Sequence, residues 1–426
     1  MVRIRSKGYV VLLLLAVFFF LSGLFFNPIS EIVQGSTIIL TSPANLLTDY
    51  FYIASIGSAF WNAGFMVLKS IIILWLLKVP VNGGHLAAVF TIAGFSLFGK
   101  NLYNSVPIIL GVYLFTLLMK VEFTKYVLPA MFGTALGPVV SEISFNLGLV
   151  PWLGHSLGLL AGVFIGLILP PLAEHVKSFH KGLSLYNIGF AAGLIGMFMI
   201  AILRGFGIYI APVTLVSSGN NTPLTFVLTL LFVAFFLLGW GWNGFRFSGF
   251  LELLRDRNLE NRDYVFSYGL PMTLMNMAIM GVTGLAYVRL VQGELNGPVL
   301  GGIFTMAGFG AYGKHVRNVL PVMLGVFLAG MFSLHEVSSV GIVLAALFGT
   351  TLAPIAQVYG PIAGVVAGMI HVFLVVNIGV LHAGMNLYNN GFSGGFVAAL
   401  LVPLLDTLLQ YKKGLEAKGY LYRRIR

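Results

Sequence analysis

Two lysines stand inside otherwise apolar sequence, Lys100 directly after Gly99 and Lys314 directly after Gly313. An ammonium at membrane depth costs about 2.5–3.5 kcal/mol even on the lenient insertion scale, so an intramembrane lysine is functional by default. Beside a polar path the pair would form an electropositive site for an anion or for the carbonyl oxygen of a neutral solute. The competing reading is snorkelling, with each ammonium in water at a hairpin mouth. Each lysine closes a segment that opens at Asn-Gly, Asn82-Gly83 and Asn296-Gly297. The first segment carries Phe90, Thr91 and Phe95, the second Phe304, Thr305 and Phe309. Their hydroxyls and rings are candidates to line one path, against the plainer reading that they pack helices. A second duplicated set, Tyr186-Asn187 and Tyr388-Asn389, opens a later apolar segment, where Asn can hydrogen-bond freed carbonyls or a solute. His180 and His382 precede that set symmetrically and are read as proton-sensing or orienting groups. No metal-ligand spacing stands out, and no cofactor is expected.

These residues belong to an internal repeat. Residues 82–112 and 296–326 align without a gap at an offset of 214, with 15 identities in 31 positions. The same offset pairs Asp49-Tyr50 with Asp263-Tyr264 and Asn62 with Asn276. Downstream, Phe132-Gly133-Thr134 and Pro138 match Phe348-Gly349-Thr350 and Pro354. After an extra stretch around 145–158 the offset becomes 202, and residues 180–193 match 382–395 at 8 of 14 positions. Chance apolar similarity does not produce matched Lys, His, Tyr and Asn.

The elements that must carry them can be read from composition. Of 426 residues 58% are hydrophobic and 9% charged, against roughly 25% charged in soluble domains; mean hydropathy is +0.96. A soluble globular protein is excluded. Lys+Arg 24 against Asp+Glu 13 leaves +11, but no basic face interleaved with stacking aromatics suggests nucleic acid. Cysteine is absent, which removes disulfides, thiolate metal sites and cysteine nucleophiles. A spanning helix needs about 20 apolar residues. Candidate spans lie at 9–26, 52–77, 126–141, 155–171, 184–203, 223–242, 266–288, 338–358, 360–380 and 384–405. Segments 83–98 and 297–312 are under-length and suit short helices that enter the membrane and stop; 104–119 and 318–333 return from them and could nearly span a thinned bilayer.

Basic residues flank the cytoplasmic ends of spans. They cluster at Arg3 to Lys7, at Lys78, Lys120, Lys125, Lys177 and Lys181, from Arg246 to Arg262, and from Lys412 onward, whereas the loops 28–51, 142–154 and 205–222 contain none. Both termini are therefore placed in the cytoplasm. The expected fold is an all-α polytopic membrane protein of two inverted-topology repeats, each of five transmembrane helices and one re-entrant short helix. Residues 1–204 form the first repeat with re-entrant unit 82–119, and 205–222 a linker. Residues 223–405 form the second repeat with re-entrant unit 296–333, and 406–426 a basic cytoplasmic tail. An odd number of crossings per half places the halves in opposite orientations about an axis in the membrane plane.

The short helix after an Asn-containing turn, the Tyr-Asn motif opening a later helix and the duplication of both resemble the urea transporter family. In that family the Asn-Gly positions are Asn-Pro, and Leu185-Tyr186-Asn187 and Leu387-Tyr388-Asn389 stand where it has Tyr-Gly-aromatic-Asn. The resemblance implies an inverted repeat with two pore helices and a narrow polar slot between aromatic rings. The chain also looks like a group of uncharacterised bacterial integral membrane proteins. Together these readings lead to a transporter or channel of the inner membrane for a small polar or anionic solute, with the lipid bilayer and further copies of the chain as its other partners. The rival class is an integral membrane enzyme acting on a lipid or small substrate. An enzyme places nucleophile, base and oxyanion donor asymmetrically around one substrate, whereas every polar motif here is duplicated.

Overall fold

The computed structural model describes residues 2–211 and 213–417. In chain order the first half comprises α1 (Val2–Phe26), α2 (Ile29–Thr41), α3 (Tyr50–Ile53), α4 (Ile56–Leu76), α5 (Gly83–Phe95), α6 (Leu102–Leu118), α7 (Val127–Gly133), α8 (Gly137–Phe145), α9 (Pro151–Val176) and α10 (Asn187–Gly205). The second comprises α11 (Asn221–Trp242), α12 (Phe250–Arg255), α13 (Tyr264–Leu290), α14 (Gly297–Phe309), α15 (Val316–Phe332), α16 (Val340–Gly349), α17 (Ala353–Tyr359), α18 (Pro361–His382) and α19 (Asn389–Ala417). A 3-10 turn at Thr134–Leu136 joins α7 to α8, and one at Thr350–Leu352 joins α16 to α17. Among the described residues ten helical stretches are long and apolar enough to cross a membrane, with α7–α8 and α16–α17 each counted as one. The protein is an all-helical polytopic membrane protein. Of the expected tail, 406–417 continues α19, and 418–426 lie outside the described residues.

Stretch 28–51, read from sequence as a loop, holds α2 and α3 instead. Its helical part has Ile32, Gly35 and Ile39 on one buried face, a spacing of three and four that lets a short segment pack on α4. Helix α2 starts after Pro28, whose extended backbone sets the helix start.

The two short helices α5 and α14 pack antiparallel at the centre of the chain. A Cβ placed on Gly94 would stand 2.7 Å from the Gly301 carbonyl oxygen, and one on Gly308 2.5 Å from the Phe90 Cβ. The contact is the same from either side, because Gly94 and Gly308, like Phe90 and Phe304, are 214 residues apart. Glycine at these positions lets the backbones touch, which is how helices gain dispersion where no water is left to expel.

Each half also completes the other half's short helix. Asp263 accepts the Gly83 amide at 2.9 Å, and Asp49 accepts the Gly297 amide at 3.1 Å. The next residues repeat the crossing: the Tyr264 amide donates to the Ala311 carbonyl and the Tyr50 amide to the Leu97 carbonyl, both at 3.1 Å. A carboxylate at a helix N-terminus meets both the unpaired amides and the positive end of the helix dipole. Asn82 and Asn296 supply the local caps, accepting the His85 and Val299 amides at 2.9 and 3.0 Å.

Candidate functional site

Both short helices stop inside the protein, and the chain beyond each stop is built alike. Gly99 and Gly313 sit at φ +103° and +82°, a left-handed conformation that favours glycine and turns the chain at a helix end. The next amide closes the turn, Lys100 to the Phe95 carbonyl at 3.2 Å and Lys314 to the Phe309 carbonyl at 3.1 Å. The carbonyls released by the break are then satisfied by asparagines from neighbouring helices. Asn62 donates to Ser96 and Lys100 oxygens at 2.7 and 2.8 Å, and Asn276 to those of Gly310 and Lys314, both at 2.7 Å. Asn104 and Asn318 reach Gly99 and Gly313, each at 3.0 Å. Broken helices persist at membrane depth only with such partners.

The two lysine side chains are fully buried, yet they are not in the same state. Lys314 Nζ donates to Tyr186 Oη and to Thr350 Oγ1, both at 2.6 Å, and lies 4.6 and 5.1 Å from the ring centres of Tyr186 and Phe309. Lys100 Nζ lies 5.2 Å from the Phe95 ring and has no hydrogen-bond partner among the described residues. The repeat places Tyr388 and Thr134 where Lys314 has Tyr186 and Thr350, but the bonds are not made. Lys69, whose counterpart at the offset of 214 is Thr283, adds a second ammonium on this side, held by Ser105 Oγ at 2.8 Å.

Between the lysines runs a chain of rings. Phe95 meets Tyr388 at 4.8 Å and Phe348 at 5.7 Å; Phe309 meets Tyr186 at 4.7 Å and Phe132 at 5.8 Å. Tyr186 and Tyr388 join the two sets at 5.5 Å. Each tyrosine thus leans on the short helix of the other half. A cavity of about 200 Å³ reaches this cluster, ending on Tyr186, Phe309 and Tyr388 and carrying Lys177, His180 and Arg262 in its walls.

The equivalent approach from the other side is covered. Gly182 lines the cavity, but its counterpart Gly384 lies under Asn45, and its carbonyl accepts the Leu46 amide at 3.0 Å. The covering segment is pinned in turn by the segment before α11, through Leu47 to Val213 at 2.7 Å and Leu215 to Leu47 at 2.8 Å. Among the described residues the cavity that meets the ring cluster thus lies on the Gly182 side.

Of the other residues singled out in the sequence, Asn187 shares the cavity wall with His180 and Thr91 lies beside Tyr388, while the rest serve other contacts. Thr91 and Thr305 hydroxyls turn back to their own helices, donating to Ala87 and Gly301 oxygens at 2.7 and 2.8 Å. Phe90 and Phe304, 6.4 Å apart, lie in the helix contact, with Phe235 and Phe19 as neighbours. Asn82 and Asn296 are caps. Asn187 holds the Ala173 carbonyl and the His180 ring, at 2.8 and 3.0 Å; Asn389 begins α19. His382 Nε2 meets the Gly193 carbonyl at 2.9 Å. The structure thus brings together Lys100, Lys314, Phe95, Phe309, Tyr186 and Tyr388, and adds Phe132, Phe348, Thr134 and Thr350. Those four carried a signal, being duplicated Phe-Gly-Thr within apolar spans, but only the Thr350 hydroxyl meets a lysine, whereas that of Thr134 donates to the Met131 carbonyl at 2.6 Å.

His180 makes one part of this testable. Burial holds its imidazole below the ordinary value, the bond to Asn187 opposing and the nearby Arg262 and Lys177 charges reinforcing the shift. It is neutral at pH 7 and gains its charge only on the acid side of about 6.5, the unperturbed value. If the cavity admits anions, their uptake is expected to rise severalfold as pH falls from 7 to 5, and His180→Gln to remove that rise. An identical pH profile in the variant would take His180 out of the path.

Two antiparallel broken helices, buried lysines at their ends and a ring cluster reached by a cavity define a polytopic helical membrane protein with a polar centre. The chain belongs to the family described as Protein of unknown function (DUF1576), which matches residues 29–205 and 243–407. The matched stretches start 214 residues apart and end 202 apart, the two offsets of the internal repeat. Comparison with curated proteins and with solved structures gave no match.

Proposed function

We propose that the protein is a transporter or channel for a small polar or anionic solute, with its path between the two halves. The observation that carries this reading is a pair of buried lysines, without a carboxylate partner among the described residues, at either end of an aromatic cluster that a cavity reaches. A cation buried in low dielectric is costly unless something negative visits it. The rings supply a narrow, water-poor constriction, and the ammonium groups attract anions and repel metal cations there.

On this reading the halves are inverted in the bilayer and both termini cytoplasmic, which the Lys and Arg distribution supports. Cysteines introduced singly at Ser30 and Asn258, both exposed, are expected to react with impermeant reagents from opposite sides. Labelling of both from one side would remove the inversion. The function itself is tested by flux into liposomes containing the purified chain. Small anions and polar neutral solutes are expected to pass while sodium and potassium do not. Cation flux at the same rate would defeat the proposal.

A further inference from the structure

A second, larger cavity of about 950 Å³ lies away from the ring cluster, along α15 between α13 and α18. One face of α15 lines it: Arg317, Leu320, Leu324 and Phe327, at steps of three and four that stack residues on one side of a helix. At 1.5 Å per residue the stripe runs about 15 Å, with charge at its first turn and apolar side chains beyond. Arg255 and Arg257 from the end of α12 join Arg317 at the charged end. All three are exposed, and none makes an ion pair among the described residues. The one acid between them, Asp256, is already engaged by the Tyr268 hydroxyl and by the Asn258 amide.

The repeat did not supply this arrangement. The counterparts of Arg317, Arg255 and Arg257 in the first half are Tyr103, Thr41 and Pro43, and Tyr103 Oη is bound to Ser144 and His155 at 2.8 and 2.9 Å. The charged head belongs to one half alone, on the face where the loop from Arg246 to Arg262 lies. We infer that this groove binds an anionic phospholipid, its phosphodiester on the three arginines and an acyl chain along Leu320, Leu324 and Phe327. A groove with cations at one end and about 15 Å of apolar wall fits an amphiphile with a negative head, and basic pockets between helices bind such headgroups on the cytoplasmic side. The assignment does not depend on what passes through the ring cluster.

The test is native mass spectrometry of the full chain in detergent, titrated with phosphatidylglycerol, phosphatidylcholine or inorganic phosphate. One tight phosphatidylglycerol adduct per chain is expected, with phosphatidylcholine far weaker and inorganic phosphate unable to displace it. Changing Arg255, Arg257 and Arg317 together to Gln should weaken that adduct about a hundredfold, at roughly one order of magnitude or less for each charge. Leu324→Trp, which fills the groove and keeps the charges, should weaken it as well, so the inference stands on a second variant if the triple one does not fold. Equal binding of the two lipids, displacement by inorganic phosphate, or parent-like affinity in Leu324→Trp each overturns it. A dimer of chains that Leu324→Trp dissociates overturns it too, since a second copy would then fill the groove.

Discussion

Lys100→Met and Lys314→Met are each expected to cut anion flux by about ten- to a hundredfold, the equivalent of one lost charge-assisted hydrogen bond of about 1.5–3 kcal/mol. Methionine keeps the length and removes the charge, which separates electrostatics from packing. Neutral-solute flux should fall less, because a neutral solute loses only a hydrogen-bond donor. The two variants also differ in stability. Lys314 carries bonds to Tyr186 and Thr350, so its loss should lower the melting temperature, whereas Lys100, without a partner among the described residues, should melt no lower or even higher than the parent once an uncompensated buried cation is gone. Parent-like anion flux in both variants would make the lysines anchors and end the anion reading.

The second large effect concerns the contact between α5 and α14. Gly94→Val or Gly308→Val must push apart two backbones already in contact, since even a single added carbon would meet Gly301 oxygen at 2.7 Å or Phe90 Cβ at 2.5 Å. Overpacking of this kind costs about 3 kcal/mol or more. Both variants are expected to yield little monodisperse protein and a lowered melting temperature in detergent. Gly205→Val, with nothing within 4 Å of the new carbon, serves as the control. If Gly94→Val and Gly308→Val melt with the parent, the short helices do not meet as described.

Much of the framework was legible because hydropathy and spacing act on the backbone. The short helices start at Gly83 and Gly297, where Asn-Gly stood out, and the long apolar runs are helices. Which face of an apolar helix looks inward was not legible, since a helix hydrophobic all round carries no directional pattern. Thr91 and Thr305 show the limit: a threonine in a helix can bond the carbonyl four residues back, and here both do. Tyr186 and Tyr388 show the reverse, since a loop-borne motif with unusual polarity did lead to the centre. Asp49 and Asp263 were visible as a match, yet their partners lie 248 and 180 residues away, a distance no local pattern encodes. Helix α2 was missed because the lack of lysine and arginine that marked 28–51 as external says nothing about its secondary structure.

The crossed aspartates have a consequence for how the chain is made. While the ribosome has delivered only the first half, Gly83 has no carboxylate to receive its amide, because Asp263 does not yet exist; Asp49 meanwhile waits for Gly297. Until then Asn82 is the cap that α5 has from its own half, whereas α14 meets Asp49 as soon as it forms. The full set of amide partners at the start of α5 is therefore complete only after the second half has been made.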